Sequence, residues 1–86
     1  MPEVCRFLGI IIYVHYNDHN PPHFHAEYEK YNAVFSIQEL KLMKGRLPPR
    51  ALTLVLEWAF LHREELLEDW LLAEKKAPLK KIKPLE

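Results

Sequence analysis

Cysteine is almost missing from this chain. Cys5 stands alone among 86 residues, which excludes an internal disulfide and an all-cysteine zinc site, and suits a reducing compartment. Net charge is missing too: Lys plus Arg and Asp plus Glu both count 12, so no whole-molecule field draws the protein to nucleic acid or to an anionic membrane. Long hydrophobic runs are lacking. The longest, Leu8 to Val14, falls far short of the roughly 18 residues a membrane span needs, and no basic segment or cleavage site follows Met1-Pro2-Glu3. A soluble, cytoplasmic protein with no membrane partner is expected. Internal repeats and low-complexity segments are absent as well.

What remains is enough for one core. An apolar fraction of 49% with two Trp, four Tyr and four Phe can fill the interior of a chain that buries around 60 to 65% of its extended surface on folding. Up to the second Pro-Pro the chain reads as short strands separated by turn material: Val4 to Phe7, GIIIYVHY, HFHAEY, NAVFSI and ELKLMK. Pro48 and Pro49 then open a helix, where a missing N–H costs nothing. Between Arg50 and Lys75 no Gly or Pro intervenes. Ala51, Val55, Trp58, His62, Leu66, Trp70 and Ala73 recur at steps of three and four, which is a helical face. A second apolar stripe, Leu56, Phe60, Leu67 and Leu71, exceeds what one sheet face needs unless the helix bends near His62-Arg63. The expected fold is α+β: an antiparallel sheet of four to five strands over about residues 3–44, packed against one long helix or two consecutive helices over about 49–75. Residues 1–77 form the domain, and 78–86 an extended Lys- and Pro-containing tail whose leucines and Ile82 can still dock.

Chemistry concentrates in NDHNPPHFHAEY, Asn17 to Tyr28, which holds three of the five histidines. Strand alternation puts Phe24, Ala26 and Tyr28 on the core face and His23, His25 and Glu27 on the other, beside a loop carrying Asp18 and His19. Three readings stay open. One is a metal site, with zinc or nickel held by His19, His23 and His25 and a carboxylate, Asp18 or Glu27. Another is metal-free acid–base chemistry, with His23 or His25 moving a proton and Asp18 or Glu27 orienting the ring. The third is structural: Asn17, Asp18 and Asn20 are turn formers, and Pro21-Pro22 stiffens the approach to a strand. Elsewhere, His62 is a core histidine or reaches the site from its helix. Arg50 and Arg63 are anion contacts or ordinary helix residues. Lys80, Lys81 and Lys83 form a small basic run of the kind that is usually solvated.

The segments FLGIIIYVHYNDHNPPHFHAEY, LPPRALTLVLEWAFLHREELLEDW and PLKKIKPL resemble the prokaryotic family named domain of unknown function 4160, over nearly the whole chain. The family has no established activity. Members are often encoded beside a second small family, domain of unknown function 2442, and the pair is regarded as a candidate toxin–antitoxin module. The resemblance therefore implies a protein partner from a neighbouring gene and an RNA-directed role. Its motif residues fall on Asp18, His19, Asn20, Pro21, Pro22, His23, His25 and Ala26, with Arg50, Trp58, His62, Arg63 and Glu64 on the helix. This chain departs from many relatives at Cys5, where they carry a small polar residue, which argues against a nucleophilic cysteine. It departs again at Tyr13 and His15, where they carry a basic residue, so a phosphate contact on that strand is not carried over.

Two functions are expected from these readings. In the first, the protein is a small component of a toxin–antitoxin-like two-gene module, with His23, His25 and Asp18 catalytic and Asn17, Asn20, Glu27, Arg50 and His62 binding the ligand, as a histidine- or metal-dependent hydrolase or ribonuclease. The second is a non-catalytic interaction module, an antitoxin, adaptor or homodimer, presenting Leu56, Phe60, Leu67 and Leu71.

Overall fold

Alternation of apolar residues dictates the first half of the molecule. The computed structural model describes residues 2–85. In it, β1 (Glu3–Phe7), β2 (Ile10–Tyr13), β3 (His23–Tyr28), β4 (Tyr31–Ser36) and β5 (Leu42–Gly45) form an antiparallel meander in the order β1-β2-β3-β4-β5. The β1–β2 hairpin turns through two residues of positive φ, Leu8 (49°) and Gly9 (81°), the backbone that matches the right-handed twist of a tight hairpin. One face of the sheet is dry. Val4, Phe7, Ile10, Ile12, Val14, Phe24, Ala26, Ala33 and Phe35 are all buried, while Ile11, Tyr13, His25, Glu27 and Val34 are partly exposed on the other face.

Helix α1 (Pro49–Leu61) and helix α2 (Arg63–Glu74) cover the dry face. The expected bend is a break, with His62 at φ −122° and ψ 26° serving as the C-cap of one helix and the N-cap of the next. Ala51, Val55, Trp58 and Ala59 of α1 and Leu66, Trp70 and Ala73 of α2 are buried, so the break keeps both apolar faces on one core. Re-aiming disposes of half the surplus stripe. Leu56 and Leu67 pack partly against the core, whereas Phe60 stays 71% and Leu71 49% exposed. Among the described residues, no helix is long and apolar enough to cross a membrane.

After α2 the chain runs extended across the helices to the first strand. The Trp58 indole N–H donates to the Lys83 carbonyl (2.8 Å), the Ile82 N–H to the Val4 carbonyl (2.8 Å) and the Lys80 N–H to Asp69 Oδ1 (2.9 Å). Ile82 is buried, with Leu79 and Leu85 packed against the core. This strap covers the outer edge of β1, leaving β5 as the open edge.

Asp69 lies beneath the strap, 1% exposed, and its Oδ2 has no hydrogen-bond partner among the described residues. Burial pushes its carboxyl above the ordinary range, opposed by the Lys80 backbone N–H and the Lys80 charge and reinforced by Glu68 and Glu65. The unfolded chain releases this proton first. Between the ordinary carboxylate pKa and the raised folded one, the native state holds more protons, so stability falls as pH rises through that window. Asp69→Asn keeps an acceptor for the Lys80 N–H and cannot ionise. Urea melts across pH 3 to 8 should show the variant gaining on wild type as pH rises through the window. A difference constant with pH would refute the assignment.

Candidate functional site

The loop between β2 and β3 brings the polar groups together. Asn17 has a positive φ of 65° and the Asn20–Pro21 peptide is cis; Asp18, between them, lies against the start of β3. Both imidazoles then meet the same carboxylate oxygen. Asp18 Oδ2 lies 3.1 Å from His23 Nε2 and 3.1 Å from His25 Nε2. On its other side the His23 ring donates from Nδ1 to the Pro21 carbonyl at 2.9 Å, since a carbonyl oxygen can only accept. Register explains why the two histidines share a face, for they sit two apart on a strand whose intervening Phe24 is fully buried.

Rings enclose the cluster. His23 packs on Trp70 of α2 with centroids 5.0 Å apart, and His25 meets His15 edge-on at 4.2 Å. His15 in turn stacks on Tyr13 at 5.8 Å, and the Tyr13 hydroxyl donates to Glu27 at 3.0 Å. Burial pushes the His25 imidazole down, opposed by its hydrogen bond to Asp18 and reinforced by the neighbouring His15. Beside the cluster opens a cleft of about 250 Å³ lined by His15, Asn17, Asp18, Trp70, Ala73 and Glu74. It is smaller than a typical drug-sized pocket. A small ligand fits, or one group of a larger one.

Among the described residues, Asp18, His23 and His25 form the one group of three whose ligand atoms, all within 4.8 Å of one another, suit a metal ion. His19, placed by sequence in the metal set, is exposed on the loop and stands outside that group, its place taken by Asp18. Asn17 lines the cleft, and Asn20 is exposed. Glu27 faces Tyr13, one strand step beyond His25. His62 is bonded to Glu65 at 2.5 Å and packs on Trp58, so it belongs to the helix break. Arg50 borders a different cleft, with Leu8, Ile10, Tyr28, Pro48, Ala51 and Leu54. Cys5 is buried, which pushes its thiol up and removes it as a nucleophile.

Sequence reasoning overlooked His15, Trp70 and Glu74 as parts of this site. Continuing the alternation of β2 through Tyr13 to His15 points that ring toward His25, and a signal for it therefore existed. None existed for Trp70, whose helical spacing reads as core, which it also is.

No curated protein and no solved structure matches the chain. The sequence model of the family described as Domain of unknown function (DUF4160) matches residues 9–71, a span that includes β2, the histidine loop, β3 to β5, all of α1 and most of α2. On that match, the chain belongs to the DUF4160 family.

Proposed function

We propose that the protein is a hydrolase-type component of a two-gene, toxin–antitoxin-like module, with Asp18, His23 and His25 as its working centre and RNA as its substrate. One observation carries the centre: two imidazoles on a strand converge on a single carboxylate oxygen of the loop residue Asp18, which lines a cleft. Aligned lone pairs, one carboxylate charge and a water-accessible cleft are what polarising water against an ester requires. The module and its RNA target rest on family resemblance. Expressed alone, the wild type should slow growth and cleave cellular RNA. Asp18→Asn or the double variant His23→Ala, His25→Ala should lose at least about 100-fold of the cleavage, the lower bound for positioned acid–base groups. Equal growth and no cleavage with wild type would sink the proposal.

A second reading has its own support. Phe60 and its neighbour Leu61 are 71% and 61% exposed at the end of α1, and Leu71 is 49% exposed on α2; adjacent exposed apolar side chains such as Phe60 and Leu61 are the kind of surface that marks interfaces. In this reading the protein is a non-catalytic partner of the neighbouring gene's product or of a second copy. A monomeric mass at high concentration, with no capture of that product by the wild type, would remove it.

A further inference from the structure

His23 is gripped at both ring nitrogens by oxygen acceptors, Pro21 O at 2.9 Å and Asp18 Oδ2 at 3.1 Å. Nδ1 must carry a proton to meet the carbonyl, so in the neutral ring Nε2 turns a lone pair toward a carboxylate oxygen. Two such atoms repel. The contact becomes attractive only with positive charge on the ring or between the atoms. A second ring proton would serve this contact, and a neutral His25 can donate its Nε2–H to the same oxygen at 3.1 Å, whereas one cation at the meeting point of the three atoms serves both contacts at once. We propose that a divalent transition-metal ion supplies the charge, held by His23 Nε2, His25 Nε2 and Asp18 Oδ2. The inference names the cofactor of the centre proposed above and rests on that reading for its purpose, though not for its geometry.

Several independent features agree with this ligand set. The bond from His23 Nδ1–H to a backbone carbonyl is the outer-shell contact that fixes a ligating imidazole's tautomer and aims its other nitrogen at the metal. Tetrahedral bonds of about 2.0–2.1 Å place neighbouring donors roughly 3.3 Å apart. The two observed separations of 3.1 Å need open by only a few tenths of an ångström. Two imidazoles with one carboxylate suit zinc, cobalt, nickel or ferrous iron, and not magnesium or calcium, which take oxygen ligands. Three protein donors leave a coordination position free, the arrangement of catalytic sites rather than structural ones. Asp18 also lines the cleft, which gives that position an approach from solvent.

Cobalt(II) is the probe. Protein stripped with a chelator and titrated with cobalt(II) should develop visible d–d bands that saturate at one equivalent, with zinc(II) abolishing them and excess magnesium(II) leaving them intact. Asp18→Asn, His23→Ala and His25→Ala should each weaken binding by at least about 10- to 100-fold, the loss that removing even an outer-shell partner causes. His19→Ala should bind as the wild type does. Circular dichroism of each metal-free variant reports whether it has folded. Should one fail to fold, zinc-induced shifts in the imidazole NMR signals of the wild type decide the matter, with His23 and His25 expected to move and His19 and His62 to stay. Absence of bands with wild type, or bands undiminished in folded triad variants, would overturn the metal centre. A loaded protein that never cleaves RNA would overturn the hydrolase reading alone. Cleavage that persists in chelator-stripped protein would instead overturn the metal as the cofactor of that cleavage.

Discussion

Trp58→Ala should cost about 3–5 kcal/mol, the range for emptying a buried Trp site. For a domain whose total stability is of order 5–15 kcal/mol, that removes a large share and brings the variant close to unfolding at room temperature. The site is hard to refill. Trp58 is fully buried, its ring lies 5.7 Å from Phe7 and 6.2 Å from Phe24, and its N–H holds the strap at Lys83. Loss of the indole therefore opens a cavity between sheet and helix and unpins the residues that cover β1. Trp58→Phe separates the two effects, since it keeps most of the packing and gives up the hydrogen bond, for about 1–2 kcal/mol. Urea denaturation of both variants is the measurement. An Ala variant within 1 kcal/mol of wild type would mean that the indole is not the keystone its contacts imply.

At the opposite edge, Gly45→Ala should destabilise by about 2–5 kcal/mol, the left-handed backbone and the steric overlap each contributing. Gly45 has φ +79°, and a Cβ built on it would sit 2.1 Å from the carbonyl oxygen of Asn32. That oxygen belongs to the main chain and cannot swing away. It also accepts the Arg46 N–H at 3.0 Å, so relief of the clash would break the contact that ends the β4–β5 pairing. Gly9→Ala is the comparison: there φ is similar, at +81°, but the nearest atom is a Tyr28 ring carbon at 3.3 Å, which can yield. Hydrogen exchange should show Arg46 and the β5 amides losing protection in the first variant and keeping it in the second. Unchanged protection in Gly45→Ala would contradict the close approach.

Why these two positions matter was only partly visible in the sequence. Trp58 sat on a helical face that spacing alone revealed, and strand alternation correctly divided Phe24 and Ala26 from His23 and His25. The Pro48-Pro49 pair marked the start of α1, and surplus apolar residues pointed to the break at His62. Long-range placement was another matter. Nothing in the local pattern tells that Asp18 rather than His19 reaches both imidazoles, because the path of the whole β2–β3 loop decides it. Nor does spacing reveal that the end of α2 forms one wall of the cleft, for Trp70 and Ala73 satisfy the helical period whatever they face. Arg50 and His62 share a chain with the cluster but are carried elsewhere, Arg50 by the start of α1 and His62 by the break between the helices. Residue type marked the segment, and the fold selected which of its side chains come together.

The strap couples residues that are made far apart in time. The donor that covers the Val4 carbonyl belongs to Ile82, synthesised 78 positions later by the difference of the two numbers. Until then the outer edge of β1 is a bare row of amides, the kind of template on which strands of other chains pair. Synthesis of Ile82 is therefore what closes that edge, and a chain truncated before Ile82 would have the helices and the histidine cluster but with that edge still open.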